Sequence, residues 1–559
     1  MKFNDMPYTR AKLEDFEEKM KKIIEDFKAA QSGEEQFEVH KRYYELENDF
    51  VTKRVLAHIR HDINMKEEFY NAENDYYDEI MPKVQQTRVE YKKMLYHSAY
   101  RDYLEEKIGK VAFKNMELEE RSFKPELVPL KQEENALTSR YSKFLAGAKI
   151  EFQGEVYNFS GMRKFQNDKD REVRKEAFAK TNAFCLANQG EFDEIYDLLV
   201  KNRTKQAQIL GHKNFVPMGY DLMMRNNYDE EKVARFRNQV KEVWVPFVAK
   251  LHEKRRKRLG LDKMYFYDEG VFFPDSNPAP KGTPEEILAF GRKMYDELSP
   301  ETSEFYRFMH DNEMFDVVPR MDKRSGGYMT YLPEYKSPFV FANFNTTAGD
   351  VDVITHECGH AFQGYLDGRL TQINEQLDLT METAEIHSMS MEFFTEPWME
   401  MFFKEDTQKY LEMHLEDAAT FIPYGCMVDE FQHVVYNNPD MTPEERRAAW
   451  LKLEKEYRPY MDYADDEFYN HGGLWQRQHH IYTMPFYYID YALAQSVAFQ
   501  FKALMDEDYK GAWATYLKLC KIGVKEFYTD MLHDCGLKTP FEEGYLKGIV
   551  DKISGKLGL

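Results

Sequence analysis

Apolar residues recur every three or four positions along much of this chain, with charged residues between them. Clear examples are AKLEDFEEKMKKIIEDFKAAQ (residues 11–31) and DYYDEIMPKVQQTRVEYKKMLY (75–96). This spacing places the apolar side chains on one face of a helix and the charged ones on the other. The pattern dominates residues 10–145, resumes at 169–260, and continues after residue 350. No repeat of fixed period accompanies it, which disfavours a regular solenoid.

Two segments alternate apolar and polar residues, which is typical of strands. Residues 150–165, IEFQGEVYNFSGMRKF, predict a short hairpin that leads into a helix. Residues 324–350 are rich in Gly, aromatic and β-branched residues and include PFVFANFN, which predicts a strand. We therefore expect a mainly α fold with one small β-sheet beside the helix that follows residue 350. An N-terminal helical lobe over residues 1–149 and a second region over 150–559 are the expected domains.

Composition narrows the class of protein and its partners. The 559 residues are 15% aromatic, which is too many for a disordered chain, and their net charge is -22. An acidic surface repels phosphates, which argues against nucleic acid and anionic membrane as partners. No run of about 18 apolar residues occurs, and the N-terminus lacks the apolar stretch of a secretory signal. The five cysteines form no C-x-x-C pair, so we expect a cytoplasmic protein with reduced thiols.

The candidate chemistry lies in ITHECGHAFQ, residues 354–363, where His356, Glu357 and His360 have the spacing H-E-x-x-H. Two histidines four residues apart on a helix point to the same side, as ligands of one metal ion must. Glu357 falls at the edge of that face, where its carboxylate can take a proton from water without occupying a ligand position. The motif predicts a helix that carries a site for one zinc ion.

A third ligand is expected on the next helix, within DLTMETAEIHSMSMEF (residues 378–393). Glu385 and Glu392 share one face of that helix, Glu382 lies about 60° around the helix from Glu385, and His387 lies on the opposite face. Carboxylates among apolar and small residues are unusual for a solvated face, and a dication opposite them accounts for their presence. We select Glu385 as the third metal ligand and place Glu392 one layer further out.

Three neighbours of the motif receive structural interpretations. Asp352, one turn before His356, is either a partner for a ligand imidazole or a cap for the helix. Cys358 points to the side of the helix away from the metal and is predicted to be a buried packing residue. Gly359 costs a helix about 1 kcal/mol relative to Ala, so we expect it to permit the close approach of another backbone.

These motifs resemble family M3 of the zinc metallopeptidases, in which a Glu follows the second histidine as Glu385 follows His360 here. The segments GGYMTYLPEYKSPFVFANFNTTAGDVDVITHECGH (326–360) and HHIYTMPFYYIDYALAQ (479–495) resemble the bacterial oligoendopeptidase F and Pz-peptidase group in particular. The resemblance covers roughly residues 150–540. It implies a zincin-type fold of two largely helical lobes that enclose a deep channel.

The resemblance implies zinc ligands at His356, His360 and Glu385, with Glu357 as the general base. The implied activity is hydrolysis of internal peptide bonds in short, unstructured oligopeptides. A dipeptidyl carboxypeptidase-type exopeptidase is an alternative within the same family. A metal-stabilised peptide-binding protein without catalysis is the second alternative, although a purely structural zinc site has no need of Glu357.

The resemblance also implies side chains that face the scissile peptide, which we assign to His480, Tyr488 and Tyr491. The doublet His479–His480 and the additional Tyr487 leave this alignment open by one residue. A strand is further implied to pair with the substrate backbone by β-augmentation. Its residues are Phe339, Val340, Phe341, Ala342 and Asn343.

Overall fold

The computed structural model describes residues 1–555 and 557–559, which form two compact units. Unit 1 consists of residues 1–120, 278–407 and 504–537. Unit 2 consists of residues 121–277, 408–503 and 538–559. The chain is mainly helical with only small sheets, as predicted, and 72% of it is helix. In the part of the chain that is described, no helix is long and apolar enough to cross a membrane.

The helices before the larger sheet are α1 (Leu13–Ala29), α2 (Gly33–Ile63), α3 (Glu68–Tyr96), α4 (Arg101–Ile108), α5 (Lys110–Arg121), α6 (Val128–Ala146), α7 (Phe159–Gln166), α8 (Arg171–Ala187), α9 (Gln189–Leu210), α10 (Phe215–Leu222), α11 (Glu230–Gln239), α12 (Val245–Arg258), α13 (Pro284–Leu298) and α14 (Pro300–Asp311). The helices after it are α15 (Gly349–Asp352), α16 (Cys358–Leu370), α17 (Met381–Phe394), α18 (Met399–Phe403), α19 (Thr407–Asn437), α20 (Pro443–Tyr457), α21 (Glu467–Asn470), α22 (His479–Thr483), α23 (Tyr488–Ile522), α24 (Tyr528–Asp534) and α25 (Tyr545–Ile553). The strands are β1 (Ile150–Phe152), β2 (Glu155–Tyr157), β3 (Phe315–Asp316), β4 (Tyr328–Leu332) and β5 (Ser337–Phe341).

The predicted domain division between residues 149 and 150 falls inside unit 2, between α6 and β1. The two units are discontinuous along the chain, because each contains three separate segments. The division into 1–149 and 150–559 therefore stays a prediction about chain organisation. The channel enclosed by two lobes stays a prediction as well.

The two predicted β segments are both present. β1 and β2 form the expected antiparallel hairpin in unit 2. Its two-residue turn, Gln153–Gly154, has positive φ at both positions (50° and 85°), which suits the right-handed twist of a hairpin. In unit 1 a three-stranded sheet has the order β3–β5–β4, with β5 parallel to β3 and antiparallel to β4. β5 packs against α16, so the small sheet lies beside the H-E-x-x-H helix as predicted.

The helix that carries the motif changes its geometry within the motif itself. Residues Val353–Glu357 adopt π-helical geometry between α15 and α16. This wider turn was not predicted, because the H-E-x-x-H spacing alone suggests a regular α-helix. The hydroxyl of Tyr295 on α13 donates a hydrogen bond to the Ile354 carbonyl inside this turn at 3.0 Å. π-turns are uncommon and frequently occur at functional sites.

Helices α16 and α17 approach each other closely at Gly359. A Cβ atom built on Gly359 would lie 2.6 Å from both the His387 carbonyl oxygen and the Ser388 Cα. No side chain fits at that distance, so the prediction that Gly359 permits a close backbone approach is confirmed. The approach also brings the face of α17 that carries Glu385 towards the H-E-x-x-H motif.

We expect Gly359→Ala to lower the free energy of unfolding by about 1–3 kcal/mol, because the added methyl group overpacks the contact with α17. Gly548→Ala is the matched control, since nothing lies within 4 Å of a methyl group at that position in α25. The control should be neutral or stabilising by up to about 1 kcal/mol through helix propensity. Thermal unfolding of both variants, followed by calorimetry, measures the difference. Equal shifts for both variants would contradict the close approach.

Candidate metal centre

Three side chains of unit 1 converge on one point. They are His356 in the π turn, His360 on α16 and Glu385 on α17, and one potential ligand atom of each lies within 4.8 Å of the others. Glu385 Oε2 is 3.4 Å from His356 Nε2 and 3.5 Å from His360 Nε2. Two imidazole nitrogens and one carboxylate oxygen make up a donor set found in catalytic zinc sites. The structure thus brings together the three residues that the sequence predicts as ligands.

The electrostatics of this cluster favour a positive charge at its centre. Burial alone would raise the pKa of Glu385, but His356 and His360 lower it well below its ordinary value. Burial alone would lower the pKa of His356, but Glu385 and Glu392 raise it well above its ordinary value. The carboxylates therefore stabilise positive charge beside the imidazoles, and they would stabilise a bound dication in the same way.

Two further side chains orient the cluster. His356 donates a hydrogen bond from Nδ1 to Glu392 Oε1 at 2.6 Å, which leaves its Nε2 directed towards Glu385. The Ser388 hydroxyl donates to Glu385 Oε2 at 3.0 Å and restrains that carboxylate. Such partners of metal ligands set their orientation and basicity. The sequence predicted Glu392 one layer out from the candidate ligands, and the structure places it against His356. Ser388 was not predicted, and its position one turn after Glu385 was the available signal.

The remaining residues of the motif lie as follows. Glu357 is half-buried at the end of the π turn, directly next to His356 in the chain. Cys358 is fully buried, as predicted, and burial raises the pKa of its thiol well above the ordinary value. Asp352 is the last residue of α15, before the π turn. Its role as a partner of a ligand imidazole stays a prediction.

A cavity of about 500 Å³ opens beside His360 within unit 1. Ala384, which precedes Glu385 in the chain, and Met329 and Tyr331 of β4 are among its lining residues. The cavity therefore connects a predicted metal ligand to the strand at one edge of the sheet. Its volume is in the range of sites that bind small molecules or peptide side chains.

The sheet corrects one prediction about the substrate strand. β5 has no free edge, because it pairs with β4 on one side and β3 on the other. The Ala342 amide continues the pairing by donating to the Asp316 carbonyl at 2.8 Å. The Asn343 side chain donates to the Arg324 and Gly326 carbonyls, at 2.9 Å each. The expectation that Phe339, Val340, Phe341 and Ala342 pair with a substrate backbone is therefore wrong, since their main chain pairs within the sheet. For Asn343, which follows the strand, it stays a prediction.

The other predicted site residues form an aromatic cluster in unit 2. The ring of His480 lies 4.9 Å from that of Tyr488 and 6.2 Å from that of Tyr491, measured between centroids. Tyr487 also belongs to this cluster, at 5.5 Å from His480. His479 is directed elsewhere, because its ring is exposed and its Nδ1 lies 2.9 Å from the Thr483 hydroxyl. Whether this cluster faces a substrate stays a prediction.

Gln478 determines the tautomer of His480. The Tyr424 hydroxyl donates to Gln478 Oε1 at 2.8 Å, so the amide nitrogen of Gln478 is the atom left facing His480 Nδ1, at 3.0 Å. Nδ1 therefore accepts, and the proton of the neutral ring resides on Nε2. Burial lowers the pKa of His480 to about 4, so the ring is neutral at pH 7. Sequence reasoning did not identify Gln478, which only its position two residues before His480 could have suggested.

Comparison with known families places these residues in context. Residues 3–123 match the model of the peptidase M3 N-terminal domain, and residues 164–551 match that of peptidase family M3. The chain is similar to oligopeptidase PepF of Bacillus subtilis strain 168, with 23% identity over 67% of this chain and 55% of that protein. It is also similar to an oligoendopeptidase F homologue of Borreliella burgdorferi, with 23% identity over 67% of this chain and 63% of that protein. The chain thus spans less than two thirds of the length of these relatives.

Solved structures give longer matches. Pz peptidase A, solved with an inhibitor, superposes with a TM-score of 0.92 at 46% identity and covers 100% of this chain and 99% of that one. A candidate oligoendopeptidase F from Bacillus anthracis strain Ames gives a TM-score of 0.87 at 42% identity, over 100% and 98% of the two chains. Oligoendopeptidase F of Enterococcus faecium shares the fold, with a TM-score of 0.61 at 15% identity over 98% of each chain.

We expect Glu392→Gln to weaken zinc binding about 10- to 100-fold, because His356 loses the charged acceptor that orients its ring. Competition with a chromophoric chelator measures the affinity. Glu400→Gln, an exposed residue on α18, is the control and should bind zinc like the unaltered protein. An unchanged affinity in Glu392→Gln would show that the hydrogen bond to His356 does not support the site.

Proposed function

The chain belongs to peptidase family M3, and on that premise we propose that it is a zinc-dependent endopeptidase. Its substrates are short, unstructured oligopeptides, whose internal peptide bonds it hydrolyses. The observation that carries this proposal is the convergence of His356, His360 and Glu385. Glu357, the candidate general base, directly follows His356 in the chain. A structural metal site would close every ligand position with protein atoms and would need no adjacent base.

The residues present fit a zinc ion. His356, His360 and Glu385 would hold it, since their nitrogen and oxygen donors already face one point. When bound, the ion supplies Lewis acidity that activates a peptide carbonyl and a water molecule. Nitrogen and oxygen ligands also accept cobalt or manganese, so metal analysis of the purified protein decides the identity of the ion.

Glu357 acts as the general base in this proposal. Its carboxylate removes a proton from the attacking water and then delivers a proton to the leaving amine, so that no free amide anion has to depart. Glu357 is not needed as a metal ligand, because Glu385 supplies the third donor from another helix. Glu392 in turn keeps His356 oriented towards the metal.

By the resemblance to family M3, we propose that His480, Tyr488 and Tyr491 have the task of stabilising the oxyanion that forms during the attack. His480 has an N–H at Nε2, because Gln478 occupies its other nitrogen. Burial raises the pKa of Tyr488 well above its ordinary value, so its hydroxyl keeps its proton and can donate it in a hydrogen bond. Donors of this kind are most effective when the protein holds them in place before the reaction.

β4 replaces β5 as the strand that binds the peptide backbone. β4 is an edge strand of the sheet, and its residues Met329 and Tyr331 line the cavity beside His360. An extended peptide can add to such an edge through main-chain hydrogen bonds, which are independent of peptide sequence. This mode favours unstructured oligopeptides over folded proteins. A cytoplasmic location and the absence of nucleic acid and membrane partners stay predictions.

We expect Glu357→Gln to reduce kcat by about 10²- to 10⁴-fold, because the general base is lost. Zinc should remain bound, because the three ligands are unchanged. Turnover of an internally quenched peptide and zinc content by atomic absorption are the two measurements. Full activity in Glu357→Gln would refute the role of this residue. No hydrolysis by the unaltered, zinc-loaded protein, together with peptide binding, would support the non-catalytic alternative instead.

Peptides blocked at both ends distinguish the endopeptidase from the dipeptidyl carboxypeptidase. An endopeptidase cleaves an acetylated and amidated peptide, because it recognises the backbone along an edge strand and needs no free terminus. The carboxypeptidase requires a free C-terminal carboxylate and releases dipeptides. Mass spectrometry of the products from blocked and unblocked versions of one peptide separates the two, and cleavage of the unblocked version alone would exclude the endopeptidase.

We expect His480→Ala to lower kcat about 10²- to 10³-fold, as the loss of one oxyanion donor does in other hydrolases. Gln478→Met should lower kcat by about tenfold, because the ring of His480 keeps its place but its tautomer is no longer specified. His479→Ala is the control, with little effect expected from an exposed ring outside the cluster. A larger loss in His479→Ala than in His480→Ala would reverse the assignment of the doublet.

A further inference from the structure

The cavity beside His360 extends away from the metal centre along α16. His360, Gly364 and Asp367 all line it and occupy successive turns on one face of that helix. At 1.5 Å per residue, Asp367 lies about 10 Å along the axis from His360. That distance corresponds to about three residues of an extended peptide. All lining residues belong to unit 1.

The charges in the cavity do not balance. Its lining contains two cationic residues, Arg88 and Lys92, and four carboxylates. The carboxylates are Glu47, Asp367, Glu375 and Asp378. The cations are already engaged, because Arg88 donates to Glu47 at 2.6 and 2.9 Å and Lys92 donates to Glu119 at 2.8 Å.

Glu375 is also partnered, because its two carboxylate oxygens contact His40 Nε2 at 3.1 Å and the Tyr44 hydroxyl at 2.5 Å. Two carboxylates thus remain without a cation in contact, Asp367 deep in the cavity and Asp378 at an exposed position. Asp378 takes part in no hydrogen bond with the residues that the structure describes. The unbalanced charge of the cavity is therefore negative and is shared by these two residues.

Asp367 is only 4% exposed. Its Oδ2 accepts a hydrogen bond from the Gln363 amide, and no described residue donates a hydrogen bond to its Oδ1. Burial raises the pKa of Asp367 to about 7, against a weaker opposing effect of Lys525, which forms no ion pair with it. A carboxylate that is largely withdrawn from solvent and receives only one hydrogen bond from the protein is destabilised in its charged form, and a cation brought into the cavity relieves this cost.

We propose that this cavity is a subsite for a basic side chain of the bound peptide, with Asp367 as its charge partner. Asp378 adds negative charge at the exposed side. The proposal rests on the proposed peptidase function, because it assumes a peptide that passes His360. Lysine and arginine have apolar stems, and Val51, Met329 and Leu377 offer apolar surface along which such a stem can pack.

Other side chains fit this cavity less well. An acidic side chain would approach Asp367 and Asp378, whereas both cations are held by carboxylates of the protein. An apolar side chain would shield Oδ1 of Asp367 from solvent and offer it no hydrogen bond. Arginine is favoured over both, because it brings a charge and several N–H donors that are always protonated.

Binding of paired peptides to zinc-loaded Glu357→Gln protein tests the proposal without requiring turnover. One arginine is placed in turn at each position of an alanine-rich, doubly blocked peptide, and each peptide is compared with its citrulline counterpart, which has nearly the same shape but no charge. At one or more positions we expect the arginine peptide to bind about tenfold more tightly, as a charge-assisted hydrogen bond in a buried site does. Calorimetry gives both Kd values.

Asp367→Asn, introduced into the same Glu357→Gln protein, should reduce the ratio of the two Kd values to about two or less. Asp75→Asn, an exposed position on α3, is the matched control and should keep the ratio. If Asp367→Asn fails to fold or to bind zinc, Asp378→Asn serves in its place, with an expected fall of about threefold.

A ratio near one at every position overturns the proposal, and so does a tenfold ratio that survives both Asp367→Asn and Asp378→Asn. Cleavage of the same peptides by protein with Glu357 intact is measured separately. Absence of cleavage contradicts the proposed function, and the Kd ratios still decide whether the cavity selects a basic side chain.

Discussion

The close approach of α16 and α17 at Gly359 is the contact on which the candidate metal centre depends. The His356 and His360 pair is local to one helix, but the third donor, Glu385, comes from a second helix. Its carboxylate reaches the imidazoles because no side chain separates the two backbones. A Cβ atom on Gly359 would lie only 2.6 Å from the backbone of α17. The π turn, the Ser388 hydroxyl and Glu392 then refine the directions of donors that this contact has already brought together.

The same physical device recurs at both groups of candidate residues. A neutral imidazole has one donor and one acceptor nitrogen, so a partner at one nitrogen determines what the other can do. Glu392 accepts from His356 Nδ1 and thereby makes its Nε2 a potential metal ligand. Gln478 donates to His480 Nδ1 and thereby makes its Nε2 a hydrogen-bond donor. Two chemically identical side chains thus have opposite properties at Nε2. The carboxylate of Glu392 makes His356 Nε2 an acceptor, and the amide of Gln478 makes His480 Nε2 a donor.

The substrate strand shows where local pattern stops being informative. PFVFANFN alternates as a strand does, and β5 forms there as predicted. Whether a strand lies at the centre or at the edge of a sheet depends on its neighbours, and residues 315–316 were too short a segment to reveal β3 from their pattern. All five residues of β5 are buried, which is the property of a central strand. The edge, and with it the proposed peptide contact, belongs to β4.

The sequence by itself determined the helical class and the small sheet beside the motif, and it selected His356, His360 and Glu385 as the three candidate ligands that converge in the structure. These follow from periodicities of two and 3.6 residues and from side-chain chemistry, which are local properties. Only the tertiary structure decided the π turn, the partners Ser388 and Gln478, the central position of β5 and the burial of Asp367. Each of these depends on which groups from distant parts of the chain meet. Those meetings determine which polar groups find hydrogen-bond partners and which side chains are buried.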